Sequence, residues 1–369
     1  MEFTVNKTDL VRELSLSQGV VEKKTTIPSL SNVLIEAHGD RIELTATDLE
    51  LGIRSSCAAK VKSQGSVCVP AKKLLDYVRL LDDGDVAVKA LENHWIQITY
   101  KRSRTKLVGM SRESFPVLPQ FPAKGAADIP AGVFGGMIAR TIFAISSEES
   151  RYTLNGALLV VKPGALGMVA TDGHRLSQFE KSDVGGTAEV RALIPRKAMG
   201  EIQKLVAEAD PESAIHFAKN ESHLFFRIGD RLLVSQQLSG QFPNYEAVIP
   251  KDNTRHVTVE RNEITAAVQR VSQFADDRTR AIRMNLKPGQ VTLSASSSEL
   301  GESEETIEAP YQGEEINVGF NAQYLLDFLR APGSGQVTFE LKDEQSAGLV
   351  RPTEETNEKY RYIVMPMRI

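Results

Sequence analysis

Leu44-Thr45-Ala46-Thr47-Asp48 returns 124 residues later as Met168-Val169-Ala170-Thr171-Asp172, and again, weakened, as Thr292-Leu293-Ser294-Ala295-Ser296. Two further strings follow nearly the same spacing. Val69-Pro70-Ala71-Lys72-Lys73-Leu74 matches Ile194-Pro195-Arg196-Lys197-Ala198-Met199 at an offset of 125. Its third copy, Val318-Gly319-Phe320-Asn321-Ala322-Gln323-Tyr324-Leu325, loses the proline. Ser114-Phe115-Pro116-Val117-Leu118 matches Gln241-Phe242-Pro243-Asn244-Tyr245 at 127. A single short match is common by chance, whereas collinear matches at one period mark a repeated structural unit. The 369 residues therefore divide into three equivalent domains of about 123 residues, placed at 1–123, 124–252 and 253–369. Turn-rich Pro119-Gln120-Phe121-Pro122-Ala123-Lys124-Gly125 and Pro250-Lys251-Asp252-Asn253 fall at the joints.

Within each repeat the apolar spacing predicts two helices. Leu10, Val11 and Leu14 follow the N-cap candidate Thr8, and Leu74, Leu75, Val78 and Leu81 make the second helix of the first repeat. Phe134, Met137, Ile138 and Ile142, then Met199, Ile202, Leu205 and Val206, do the same in the second repeat. Ile264, Val268 and Val271, then Tyr324, Leu325, Phe328 and Leu329, do so in the third. Between them, alternating or β-branched stretches such as 41–47, 95–100, 223–228 and 336–341 read as strands. Asp83-Gly84, Pro163-Gly164 and Pro288-Gly289 read as turns. The fold class is α+β, with a helix pair laid on antiparallel sheet in every repeat.

Charge is distributed unevenly between these elements. The spans 8–18, 71–81, 134–146, 196–207, 261–274 and 321–330 hold eleven basic and six acidic residues, a net +5. The whole chain is −4, which leaves −9 for the rest. One reading is a sided electrostatic field; the other is that Lys and Arg are good helix formers. The mildly acidic total argues against a protein that holds nucleic acid by bulk charge. No apolar run is long enough to span a bilayer and no signal-peptide layout opens the chain, so a cytoplasmic protein is expected. Cys57 and Cys68 are too few for a disulfide framework and read as buried free thiols.

Thr171-Asp172-Gly173-His174-Arg175 invites a catalytic reading, because an aspartate and a histidine stand two apart; a turn capped by Asp172 is the alternative. No nucleophile elbow accompanies the pair. The remaining histidines lack metal-ligand spacing, and Gly132–Gly136 lacks the lysine of a phosphate loop. No enzyme, metal or cofactor is expected. A repeated transferase or hydrolase module and a protein-only scaffold stand as rival classes.

Arg151-Tyr152-Thr153-Leu154-Asn155-Gly156, Ala170-Thr171-Asp172-Gly173-His174-Arg175-Leu176, Phe242-Pro243-Asn244-Tyr245 and the terminus Tyr362-Ile363-Val364-Met365-Pro366-Met367-Arg368-Ile369 together resemble the bacterial DNA polymerase III beta subunit, the replicative sliding clamp. The resemblance runs the whole length of the chain. It implies tandem DNA-clamp domains that assemble head to tail as a homodimer into a closed ring. Helices would line the hole and sheet would form the outside. The ring would encircle duplex DNA without regard to sequence and tether DNA polymerase III and other polymerases, acting as a processivity factor in the bacterial cytoplasm, at the nucleoid during replication. A clamp loader would place it, and any ATP consumed would be the loader's. Phosphate contacts that carry no sequence information suit a protein that slides.

Residue by residue, the resemblance implies a hydrophobic pocket for short partner peptides. It would use Leu154, Thr171, Gly173, His174, Arg175, Leu176, Pro243 and Val248, completed by Ile363, Val364, Met365, Pro366, Met367 and Arg368. Methionines supply an adaptable apolar surface, and Pro366 interrupts a terminal strand. Glu246-Ala247 departs from relatives with basic residues there. For DNA the resemblance points to Lys24, Arg79, Arg151, Tyr152 and Lys197; for the subunit seam, to Leu107 and Phe274.

Overall fold

The structure, a computed structural model, describes residues 1–22, 25–122, 127–148, 150–354 and 356–368. The first repeat runs β1 (Glu2–Asn6), α1 (Lys7–Val20), β2 (Asn32–His38), β3 (Arg41–Thr47), β4 (Leu51–Ser63), β5 (Gly65–Pro70), α2 (Ala71–Arg79), β6 (Asp85–Ala90), β7 (Ile96–Tyr100) and β8 (Ser103–Leu107). The second runs β9 (Ala127–Pro130), α3 (Ala131–Thr141), β10 (Gly156–Lys162), β11 (Ala165–Thr171), β12 (Arg175–Ser182), β13 (Val190–Pro195), α4 (Arg196–Ala207), β14 (Ala214–Lys219), β15 (His223–Ile228) and β16 (Arg231–Gln236). The third repeats the order with β17 (Arg255–Glu260), α5 (Arg261–Val271), β18 (Ala281–Lys287), β19 (Gln290–Ser297), β20 (Gly301–Glu308), β21 (Ile316–Asn321), α6 (Ala322–Arg330), β22 (Gln336–Leu341), β23 (Gly348–Pro352) and β24 (Glu358–Val364). The α+β expectation holds in each repeat, element for element.

Local chemistry explains the differences from the sequence reading. Helix α1 is capped by Asn6, not Thr8: the Asn6 side chain accepts from Thr8 N at 2.9 Å, so Thr8 already lies inside the helix. The spans expected at 134–146 and 261–274 finish in 3-10 turns, Ile142–Ala144 and Ser272–Phe274. Such tightening satisfies the last carbonyls of a helix. Where the third repeat lacks the proline of Pro70 and Pro195, Asn321 caps α6 by accepting from Gln323 N and Tyr324 N.

The chain forms two compact units, residues 1–132 with 197–237 and residues 133–196 with 238–369. The first unit holds one sheet in the order β8-β7-β6-β1-β4-β16-β15-β14-β9, with β3, β2 and β5 branching from β4. Helix α1 packs on β3, β4 and α2, burying Leu10, Leu14, Leu74, Leu75 and Val78. Each such side chain contributes about 1.5–3 kcal/mol by burial. The second unit holds a sheet ordered β13-β10-β11-β12-β24-β23-β22-β17 and another ordered β20-β19-β18-β21. One junction recurs in the two units. Strand β4 pairs with β16 in the first, and β12 pairs with β24 in the second; each time a strand of one repeat meets the last strand of the next. Cys57 and Cys68 are buried and free, as expected. No helix among the described residues is long and apolar enough to cross a membrane.

Candidate functional site

The turn between β11 and β12 is built by its own side chains. Thr171 Oγ1 donates to Arg175 O at 2.6 Å and accepts from Gly173 N at 3.1 Å. Asp172 Oδ1 accepts from His174 N at 2.9 Å and Arg175 N at 3.0 Å. Gly173 has φ +90°, a left-handed geometry that suits glycine. The other Asp172 oxygen accepts from Arg175 Nε at 3.0 Å. The carboxylate is thus committed to backbone amides and a guanidinium, and His174 meets it through its main-chain N–H. This is the capped turn of the sequence reading, and it leaves the Asp–His pair no geometry for base catalysis.

Strand β12 carries the turn into a sheet with β24, in the register Arg175↔Val364 and Leu176↔Ile363. Side chains alternate along a strand, so Leu176 and Ile363 share one face while Arg175 and Val364 share the other. On the first face Leu176 and Ile363 join Leu158, Val160, Val169, Leu193, Phe242 and Leu349 in a buried apolar cluster. Leu154, Leu238, Tyr245, Ile249 and Ala347 lie half-buried against it. Pro243 and Val248 sit exposed beside Phe242 and Tyr245. Burial pushes the Tyr245 hydroxyl above the usual tyrosine range, and neighbouring Glu246 adds to it. The tail leaves the sheet at Met365, whose N–H donates to His174 O at 2.9 Å; Met367 N donates to Gly319 O on β21 at 2.8 Å. Met365 and Arg368 are exposed, while Pro366 and Met367 are half-buried.

On the second face Val364 is fully buried with Tyr362, whose hydroxyl donates to Tyr324 O at 2.8 Å and whose ring stacks on Phe328. Arg175 points the same way. The structure thus brings Leu154, Leu176 and Ile363 to one apolar cluster, and Thr171, Gly173, His174 and Met365 to its edge. Val364 and the Arg175 side chain go to the opposite face, because a one-residue step along a strand inverts the facing. The sequence reading missed Phe242 and Tyr245 as individual members, although their string marked the place. It also missed Leu158, Val160, Val169, Leu193 and Leu349, which lie in β10, β11, β13 and β23.

Of the candidate DNA residues, Arg79 and Lys197 belong to the first unit and Arg151 and Tyr152 to the second. Lys24 lies outside the described residues. Arg79 is exposed and donates to Ser15 Oγ at 3.0 Å. Lys197 pairs with Asp48 and donates to Val20 O at 3.3 Å. Arg151 braces the pocket turn, donating to Asp172 O at 2.9 Å and pairing with Glu148, while Tyr152 stands 72% exposed beside it. Two helix cations counted in the sided field are drawn inward. Arg261 is 3% exposed, with Nη1 on the carbonyls of Leu329 and Ala331 at the end of α6; Arg140 lies over the Phe179 ring. Burial pushes the Arg261 guanidinium below its usual range. Leu107 and Phe274 are each half-buried, at the end of β8 and in the turn after α5.

Three family models match the chain: the N-terminal domain of the DNA polymerase III beta subunit at residues 1–119, its central domain at 128–244 and its C-terminal domain at 246–368. The beta sliding clamp of Pseudomonas aeruginosa is 33% identical over 371 residues, covering all of both chains. Its crystal structure bound to griselimycin superposes with a TM-score of 0.94 at 32% identity, again with full coverage. The sliding clamp of Bacillus subtilis superposes with a TM-score of 0.94 at 26% identity, over all of this chain and 99% of that one. Fold and site together define a three-domain DNA clamp. The chain belongs to the DNA polymerase III beta subunit family, the sliding clamps of DNA replication.

Proposed function

We propose that two copies of this chain close head to tail into a ring that encircles duplex DNA and carries polymerases along it. The observation that supports this is the recurring junction. Since β4 meets β16 and β12 meets β24, the same rule applied once more sends β20 to the last strand of a first repeat, which is β8. Both β20 and β8 are sheet edges, and an unpaired edge is a template for another chain. Their charges oppose: β20 carries Glu302, Glu304, Glu305 and Glu308, while β8 carries Arg104 and Lys106 after Lys101 and Arg102. Leu107 closes β8, and the turn holding Phe274 packs on β20, so both suit the seam.

In this reading the domains are 1–123, 124–252 and 253–369. The ring holds DNA by enclosure, with Lys24, Arg79, Arg151, Tyr152 and Lys197 meeting phosphates. The apolar cluster under the 171–175 turn takes short peptides of DNA polymerase III, other polymerases and the clamp loader, and it takes griselimycin. The pocket comprises Leu154, Thr171, Gly173, His174, Leu176, Pro243, Val248, Ile363, Met365, Pro366, Met367 and Arg368, with Arg175 and Val364 supporting it from behind. The protein turns over no substrate, needs no cofactor or metal and works in the bacterial cytoplasm.

The test is the solution mass by light scattering, with retention on nicked circular plasmid after loader treatment. A mass near twice 40.6 kDa and loss on linearisation are expected. A persistent monomer, or binding indifferent to DNA topology, would overturn the ring. Lys197→Glu with Arg79→Glu is expected to impair loading and processivity; unimpaired loading would remove both residues from the DNA interface.

A further inference from the structure

We infer that Asp327 on α6 is a positioning residue for partner-peptide binding, acting through Arg175 on the turn that walls the pocket. The inference rests on the pocket reading above. Arg175 leaves the sheet on the face opposite the apolar cluster, where its side chain is 9% exposed. Four groups hold it there. Its Nη1 donates to Asp327 Oδ2 at 2.5 Å, Nη2 to Phe143 O at 2.7 Å and Nε to Asp172 Oδ2 at 3.0 Å, and the guanidinium lies 4.3 Å from the centre of the Tyr324 ring. Asp327 is itself fixed, because its second oxygen accepts from Gln323 Nε2 at 2.6 Å.

These contacts form one continuous chain of charge-assisted hydrogen bonds from the third repeat to the pocket edge. It runs from Gln323 through Asp327 and Arg175 to Asp172, and Asp172 holds the amides of His174 and Arg175. His174 O in turn receives Met365 N, the point where the tail crosses the turn. Burial works against the charge on Arg175, and its partners outweigh that, so the guanidinium stays fully charged. With Asp327 neutralised, a buried cation would retain one carboxylate, and the turn would follow it as it shifted toward water. Asp327, its side chain 21% exposed, meets the turn through Arg175. Its effect on binding passes through the position of residues 172–174.

Calorimetric affinity for griselimycin and capture of DNA polymerase III test the inference on the full-length protein. Asp327→Asn is expected to weaken both about tenfold, the loss of one charged hydrogen bond's worth of positioning, with the dimer mass unchanged. Asp327→Glu is expected to restore binding to within about threefold. In an Arg175→Met background, Asp327→Asn is expected to cost nothing more, since the two residues act in series. Amide exchange at residues 173–174 is expected to rise while exchange within β12 stays put. Removal of residues 365–369 serves as the pocket control. If that truncation abolishes binding but Asp327→Asn binds like the parent, the inference is overturned and the pocket stands. If the truncation also leaves binding intact, the pocket reading fails and takes this inference with it. Should Asp327→Asn not fold, Arg175→Lys decides: it keeps the charge but cannot span three acceptors, and undiminished affinity would overturn the inference.

Discussion

The turn at Thr47–Leu51 and the turn at Thr171–Arg175 share one hydrogen-bond pattern. In the first, Thr47 Oγ1 donates to Leu51 O at 2.9 Å and accepts from Leu49 N at 2.9 Å. Asp48 Oδ1 accepts from Glu50 N at 2.9 Å and Leu51 N at 2.7 Å. The second repeats every one of these bonds one period later. What surrounds them differs. Asp48 reaches Lys197 on α4, so an acid on the turn meets a base on a helix; Asp172 reaches Asp327 on α6 through Arg175, so the helix supplies the acid. After the first turn comes Gly52, where an added Cβ would overlap Leu118; after the second comes Leu176. Leu118 is buried over Gly52, and the nearby cluster is small: Leu34, Cys68 and Phe115, with Met110 half-buried against it. The cluster under the second turn is wider and half-covered by Leu154, Leu238, Tyr245, Ile249 and Ala347. The same backbone device is sealed by its own chain in the first repeat and presents apolar surface in the second. The step from glycine to leucine after the turn, and what the following Phe-Pro string lays over it, make the difference.

That contrast can be broken most severely at the tail. Removing residues 365–369 is expected to weaken polymerase capture at least about hundredfold, measured by surface plasmon resonance, because it strips the edge that only the second turn has. Gly52→Leu, which imposes the second repeat's residue on the first, is expected to destabilise the protein by about 1–3 kcal/mol in urea unfolding through overlap with Leu118. Adding Leu118→Ala is expected to recover part of that loss. At the third turn position the copies also diverge. Leu49 holds φ +82° and Gly173 φ +90°, so Gly173→Leu is expected to cost about 1–2 kcal/mol, and Leu49→Gly to raise stability by less than about 1 kcal/mol.

Acid should separate wild type from Glu13→Gln. Burial alone would raise the Glu13 carboxyl, but hydrogen bonds from Arg231 and Arg12 outweigh it and hold it below the usual glutamate range. A carboxyl lowered on folding adds stability above its unfolded value and loses it as pH falls through the folded one. Wild type should therefore be the more stable at neutral pH and show the steeper acid limb in thermal unfolding; parallel limbs would contradict the ion pairing. The smallest effect concerns the thiols. Burial pushes Cys57 up to about 12 and Cys68 up to about 11, so neither should react with a disulfide reagent at pH 8 until the protein unfolds.

Much of this was legible in the chain itself. The period of the Thr-Asp strings placed the repeats, apolar spacing placed the helices, and alternation placed strands such as β3 and β15, because these depend on neighbours a few residues apart. The cap of α1 was not: the sequence reading chose Thr8, and only the backbone shows that Thr8 lies inside the helix and Asn6 caps it. The pocket was legible only as strings. Leu176 and Ile363 face one way, and Arg175 and Val364 the other, only once β12 and β24 are paired in register, and that pairing joins residues about 190 apart.

By itself the sequence determined the three-fold repetition, the helix pairs and the capped turns, since local hydrogen bonding and periodicity are written within a few residues. Only the tertiary structure decided which copy of the turn is sealed by Leu118, that Lys197 answers Asp48, and that Asp327 answers Arg175. Each of those partners lies in a different repeat from the turn it serves or beyond the strand that follows it. A charge or an apolar side chain carries no mark of the distant group that will satisfy it, so folding alone assigns the pair.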